Sequence, residues 1–237
     1  MQQNKVSILS TRPLPATVIR DAALAGVEID VKSFIETEAI QSVEVQQEIE
    51  QVVLQSATVV FTSMNAVEAV ASLITEEMPD WSIYCIGQTT LDLAKKYFSD
   101  ASIAGTASNA ADLAALITED EYIDEVVFFC GDQRRDELPG ILRSHDIGVT
   151  EIIVYHTVAT PQVVKKEYNG ILFFSPSAVD SFFSKNKTKK PTMLFAIGST
   201  TAASIKKYTD NSIITSDVPG KERLVEKAIN YFVNNER

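Results

Sequence analysis

Six short segments hold the residues best suited to grip an anion. They are Thr11-Arg12-Pro13, Thr62-Ser63, Gly87-Gln88-Thr89-Thr90, Gly131-Asp132, Ser175-Pro176-Ser177 and Gly198-Ser199-Thr200-Thr201. Each follows an apolar run that reads as a strand, which is where open parallel sheets bind ligands. A Ser or Thr there is first of all a helix cap, worth about 1 kcal/mol. Capping accounts for any one of them taken singly. The two Gly-x-Thr-Thr turns ask for more, because glycine followed by two threonines leaves bare backbone N–H groups at the positive end of a helix. That arrangement takes carboxylate or phosphate, so Gly87, Thr89, Thr90, Gly198, Thr200 and Thr201 are read as binding residues. Arg134, in a mixed-charge helix start at 134–137, reads either as a solvated face or as an anion contact.

Other chemistry is poorly supplied. The chain has only two histidines, His145 and His156, and neither stands in metal-ligand spacing with a cysteine, so no metal is expected. Neither a Gly-x-Gly-x-x-Gly nor a Gly-x-x-x-x-Gly-Lys-Ser/Thr run occurs, which removes dinucleotide and P-loop readings. A Gly-x-Ser-x-Gly elbow is also missing. His156, beside Tyr155, reads as solvated structure or as a general base. Four lysines between Lys185 and Lys190 read as a surface loop.

The elements that must position these segments are duplicated. YCIGQTTLDLAKKY at Tyr84–Tyr97 returns as FAIGSTTAASIKKY at Phe195–Tyr208, displaced by 195 − 84 = 111 residues with 7 of 14 positions identical. VVFTSMNAVE at Val59–Glu68 returns as ILFFSPSAVD at Ile171–Asp180, displaced by 171 − 59 = 112, with 4 of 10 identical. Weaker echoes pair Ser102-Ile103 with Ser212-Ile213 and Leu113 with Leu224. A period this long means two similar domains rather than a solenoid, whose repeats run about 20–50 residues.

Apolar runs predict ten strands: Val6–Ser10, Val27–Ile35, Ala57–Phe61, Ser82–Ile86, Ala101–Ala104, Glu125–Cys130, Val149–Val158, Gly170–Phe174, Met193–Ile197 and Ser212–Thr215. Amphipathic stretches between them predict helices, so the fold class is α/β: two doubly wound, five-stranded parallel sheets. Val27–Ile35 and Val149–Val158 are the longest and read as crossings between domains. This division gives one discontinuous domain, 1–35 plus 160–237, and one continuous domain, 40–153, with linker strands near 31–40 and 152–161.

The 45% apolar content and mean hydropathy of +0.03 fit a soluble globular protein. No apolar run approaches the roughly 18 residues of a membrane span, and no signal peptide is read at Gln2-Gln3-Asn4. Cys85 and Cys130 lie in strand-like runs and read as buried, reduced thiols of a cytoplasmic protein. The net charge of −11 argues against nucleic-acid and anionic-membrane partners.

Thr11-Arg12-Pro13, FTSMNAVEAV at 61–70, IGQTT at 86–90, VYHT at 154–157, FFSPSAVDSF at 173–182 and AIGSTTA at 196–202 together resemble the uroporphyrinogen-III synthase family, in order and over nearly the whole chain. The resemblance implies two five-stranded α/β domains joined by a two-stranded linker, one built from both chain ends. It also implies a cofactor-free lyase that closes the linear tetrapyrrole hydroxymethylbilane with inversion of ring D; a monomer is expected. It carries over Tyr155 as the group assisting loss of the substrate hydroxyl. Thr11, Arg12, Thr62, Ser63, Asn65, Gly131, Ser175, Pro176 and Ser177 are carried over as substrate contacts beside the two Gly-x-Thr-Thr turns. One departure stands out: where many members have Arg-Gly, this chain has Cys130-Gly131, with Arg134 and Arg135 following. Two rival classes are a non-catalytic two-domain binder of a polycarboxylate and another cytosolic isomerase or transferase.

Overall fold

Continuous apolar strands need cover on both faces, and the computed structural model, which describes residues 6–74, 78–216 and 220–235, supplies it twice. The chain divides into two compact units, Met1–Glu36 with Val158–Arg237 and Thr37–Thr157.

The first unit holds strands β1 (Val6–Ser10), β2 (Val27–Val31), β9 (Gly170–Phe173), β10 (Met193–Ala196) and β11 (Ile213–Thr215), in the order β11-β10-β9-β1-β2. All four pairings are parallel. Helices α1 (Ala16–Leu24) and α9 (Lys221–Asn235) give Ala22, Leu224, Val225 and Ala228 to a core with Val6, Ile8 and Leu172. Helices α7 (Pro176–Lys185) and α8 (Ser199–Lys206) cover the opposite face, packing Val179, Phe182 and Ile205 with Leu9, Phe173 and Leu194. Ile8 and Leu9 thus enter different cores, as alternation along a strand requires.

The second unit holds β3 (Ile35–Ala39), β4 (Ala57–Phe61), β5 (Trp81–Ile86), β6 (Ile103–Ala107), β7 (Glu125–Gly131) and β8 (Gly148–Ala159), ordered β3-β8-β7-β4-β5-β6. β4, β5, β6, β7 and β8 pair in parallel. Helices α2 (Val43–Val53), α3 (Met64–Ala71) and α4 (Gln88–Phe98) pack on Val59, Phe61 and Ile83. Helices α5 (Ala110–Thr118) and α6 (Glu137–Ser144) pack on Val60, Tyr84 and Phe128.

The α/β class with two parallel sheets stands, with two corrections to the expected strands. Val27–Ile35 is not one strand: it breaks at Lys32-Ser33-Phe34, where Ser33 Oγ donates to Ile35 O at 2.6 Å and Phe34 is fully buried against Phe182. Its second piece, β3, joins the other sheet beside β8, so that sheet has six strands rather than five. The chain passes between the units within β3 and within β8.

The duplication has a permuted form. Numbering the second unit's repeat from β4 gives the spatial order 3-2-1-4-5 for β4, β5, β6, β7 and β8. Numbering the first unit from β9 gives the same order for β9, β10, β11, β1 and β2. The first β-α-β unit of the sequence therefore completes the second repeat.

Asp30, beyond the middle of β2, anchors residues leading into β9. Its carboxylate accepts from the buried Tyr168 hydroxyl at 2.7 Å and from Lys166 Nζ at 2.9 Å. The Lys166 hydrogen bond first, and the Tyr168 hydroxyl second, hold its pKa below the usual carboxylate value. Asp30→Ala strands the Tyr168 hydroxyl and should cost about 1–3 kcal/mol. A depressed folded-state pKa contributes stability above the unfolded value and loses it as pH falls through the folded one. The gap between the melting curves of parent and variant should accordingly shrink as pH falls below about 4, leaving the part due to the stranded hydroxyl; a gap that does not change with pH would refute the role of the ionised carboxylate.

Candidate functional site

In each sheet the strand order gathers the candidate residues at carboxyl ends of neighbouring strands. In the first unit Thr11, Ser175 and Gly198 follow β1, β9 and β10, which are adjacent. In the second, Gly131, Thr62-Ser63 and Gly87 end or follow β7, β4 and β5, also adjacent. Both groups straddle the point where chain direction across the sheet reverses, the usual ligand position in such sheets.

The hydroxyls there differ in their engagement. Thr11 is buried, and its Oγ1 donates to Leu172 O at 2.8 Å. Ser63 Oγ caps α3 by accepting from Asn65 N at 3.2 Å, and Ser175 Oγ caps α7 by accepting from Ala178 N at 3.2 Å. A capping hydroxyl uses a lone pair and keeps its proton to donate. Pro176 takes the first helical position, where its missing N–H costs nothing. Thr62, Asn65 and Ser177 are half-buried.

The two Gly-x-Thr-Thr turns share a pattern, with Thr89 and Thr200 exposed and Thr90 and Thr201 buried. Their glycines differ. Gly87 has φ +84° and ψ 150°, a conformation essentially reserved for glycine. Gly198 has φ −170°, extended backbone open to any residue, and a Cβ there would meet nothing within 4 Å. Gly87→Ala should therefore lose about 1–3 kcal/mol of stability, while Gly198→Ala melts like the parent. Equal melting of both variants would show that the left-handed turn carries no strain.

Tyr155 is placed by an irregularity. The β7–β8 register runs Cys130↔Ile153 and then Gly131↔Tyr155, so β8 carries one extra residue. Such a bulge re-aims the following side chain, and here the Tyr155 ring lies over Gly131. A Cβ on Gly131 would come 2.3 Å from Tyr155 Cζ and 2.7 Å from its hydroxyl oxygen. The ring packs against the core and is half-buried, while its hydroxyl has no hydrogen-bond partner among the described residues.

Residues 18–226 match the family model described as uroporphyrinogen-III synthase HemD. The chain belongs to the uroporphyrinogen-III synthase family. That family functions in tetrapyrrole biosynthesis, and its members are hydro-lyases. Two solved structures share the fold. One is uroporphyrinogen-III synthetase from Helicobacter pylori, with a TM-score of 0.68 and 16% identity over 95% of this chain and 99% of that one. The other is a mutant uroporphyrinogen III synthase from the extremely thermophilic bacterium Thermus thermophilus, with a TM-score of 0.61 and 13% identity over 98% of this chain and 100% of that one.

Against that family background, the Cys130-Gly131 departure has a local account. Cys130 is buried, its thiol pushed up to about 11 by burial first and by Glu151 second. Arg134, the nearest candidate for a replacement charge, is held by Glu151 and by Asp136 at 2.9 Å, and Glu151 also takes Arg143 at 2.7 Å. The guanidinium is thus already neutralised within its own unit. His156 Nδ1 stands 3.4 Å from Asp132 Oδ2 with its side chain more than half exposed.

Lys221 was missed by the sequence reading. It opens α9, and its pKa is lowered by burial first and by the charge of Arg12 second. The first unit's carboxyl edge thereby holds two neighbouring cations. The readable signal was Gly220-Lys221, a glycine before a helix in the same strand-then-helix setting as the other turns.

Proposed function

We propose that this chain closes hydroxymethylbilane to uroporphyrinogen III without a cofactor. The observation that carries the reading is the family match over residues 18–226, supported by Tyr155 held over Gly131. Tyr155 donates its phenolic proton to the ring A hydroxyl, which leaves as water and generates an azafulvene. The substituted α-carbon of ring D attacks that electrophile to give a spiro intermediate. Fragmentation and reclosure invert ring D, and the proton released on rearomatisation returns to the tyrosinate. Substrate and product differ by one water. The bilane closes unaided to the wrong isomer, so holding it in the productive geometry is the larger task.

Binding cannot come from bulk attraction, since substrate and protein are both acidic. Local donors carry it instead: the backbone N–H groups after Gly87 and Gly198, the exposed Thr89 and Thr200, the capping Ser63 and Ser175, and the cations Arg12 and Lys221. Arg134 reaches a carboxylate only by leaving one of its own partners. Gly198 needs neither a special φ nor space from its neighbours, which favours close approach of a ligand as its reason. Gly198→Ala should then bind product more weakly at unchanged stability; parental binding would remove the turn from the site.

No described helix is long and apolar enough to cross a membrane. A cytoplasmic monomer is the proposed working form, in keeping with two buried thiols, Cys85 pushed up to about 12 by burial. Sedimentation of the purified chain tests the monomer.

The deciding experiment adds hydroxymethylbilane to the purified protein, oxidises the products and separates the isomers. Excess isomer III supports the reading. A product mixture identical to the unaided reaction would leave a polycarboxylate binder as the function.

A further inference from the structure

A second cationic site stands at the opposite, amino-terminal edge of the first unit's sheet. Its walls are the segment before β9, residues 163–169, and the loop before β10, residues 185–192, around a cavity of about 660 Å³. Small-molecule sites usually occupy about 300–1,000 Å³. Six lysines line it: Lys165, Lys166, Lys185, Lys187, Lys189 and Lys190. Lys166 pairs with Asp30 and Glu28, and Lys189 with Glu167. The other four have no carboxylate partner among the described residues. Lys185 also complements the negative end of α7; Lys165, Lys187 and Lys190 have no such role.

In a chain of net charge −11, this concentration calls for a cause. Solvation alone would suit a mobile loop, in which like charges move apart, but this loop is pinned. The Asn186 side chain accepts from Val164 N at 2.7 Å and donates to Gln162 O at 2.7 Å and to Phe182 O at 2.8 Å. The buried Asn211 amide donates to Lys189 O at 3.0 Å and Thr192 O at 2.8 Å, while its oxygen accepts from Thr188 at 3.2 Å. Fixed like charges around a concavity focus a positive field, the condition for capturing an anion.

The side-chain types narrow the anion. Planar carboxylates are best taken by the arginine fork, whereas lysine serves phosphate as a point charge. The lining has lysines and no arginine. Tyr231 and Phe232, both half-buried and set edge to face with ring centroids 5.1 Å apart, add aromatic surface on which a base can rest. We propose that this cavity binds a nucleoside polyphosphate, its phosphates among Lys165, Lys187 and Lys190 and its base against Tyr231 and Phe232. β9 and β10 are four residues each, so their length of about 13 Å separates this edge from the proposed substrate residues. The proposal is independent of the tetrapyrrole reaction.

Calorimetric titration of the full chain tests it, with ATP, inorganic tripolyphosphate, adenosine and citrate as separate probes and Lys187→Gln/Lys190→Gln as the variant. ATP should bind at a single site, weaken as salt rises, and lose roughly tenfold or more in the double variant, the share of one to two charge-assisted contacts. Circular dichroism should show the variant folded, since both lysines are exposed. Tripolyphosphate should bind more weakly than ATP, and adenosine and citrate more weakly still. Absence of ATP binding at millimolar concentration, or unchanged affinity in the variant, overturns the site. Citrate binding as tightly as ATP overturns the phosphate assignment, and tripolyphosphate matching ATP overturns the aromatic wall.

Discussion

Tyr155→Phe should lower turnover about 10²–10⁴-fold, or about 3–5 kcal/mol of barrier, while the protein melts as the parent does. The hydroxyl has no partner among the described residues, so its loss leaves no stranded donor or acceptor, and the ring still fills its place over Gly131. Alanine at Thr62, Ser63 or Ser175 removes one hydroxyl contact, worth about 0.5–1.5 kcal/mol, and should slow the reaction far less. Isomer III formation from hydroxymethylbilane is the measurement. A folded Tyr155→Phe protein with parental turnover would take the proton-donor role away from this residue.

Gly131→Ala should be almost as damaging by a different route. The added methyl would stand 2.3 Å from Tyr155 Cζ and 2.4 Å from Cε2, so the ring must swing away or β7 must shift. Overpacking of this kind costs about 1–3 kcal/mol of stability, and displacement of the hydroxyl should cost turnover comparable to Tyr155→Phe. A double-mutant cycle separates the causes. If Gly131 acts only by positioning Tyr155, the double variant Gly131→Ala/Tyr155→Phe should turn over about as slowly as Tyr155→Phe alone. Additive losses would mean that Gly131 serves the reaction independently, for example by exposing backbone to the substrate.

Much of the fold was legible because the sheets are parallel and buried on both sides, which leaves continuous apolar runs such as GILF and MLFA with clear ends. The repeat then tied those runs into matching units. Helix α2 also carries its signal in the sequence. Ser42 caps it by accepting from Val45 N at 3.3 Å, and Val45, Ile49, Val52 and Val53 follow helical spacing, with glutamates and glutamines on the outer face. The break at Lys32-Ser33 was also visible as two polar residues inside an apolar run.

The candidate residues at strand ends were legible as positions, since chain direction alone brings them to one edge. Their surroundings were not. The bulge that sets Tyr155 opposite Gly131 depends on β7–β8 pairing, and Glu151 neutralises Arg134 across the same strand pair. The pinned lysine loop is a third case: Asn211, which fixes it, lies 22 residues from Lys189 in the chain. Local sequence carries no trace of such long-range partners.

The permuted repeat sets an order of assembly during synthesis. The unit Thr37–Thr157 is continuous, and its sheet has all its strands once residue 159 has been made. β1 must instead wait for β9, because Ile8 faces Gly170 and the side chain of Asn169 accepts from Ser7 N across 162 residues. Until then one flank of Val6–Ser10 offers unpaired N–H and C=O groups, and its apolar side chains lack the cover of β9, α7 and α9. An unpaired strand edge of this kind is a template for association between nascent chains. Its short length and the polar segment Ser10-Thr11-Arg12 that ends it limit that hazard while the rest of its sheet is still being translated.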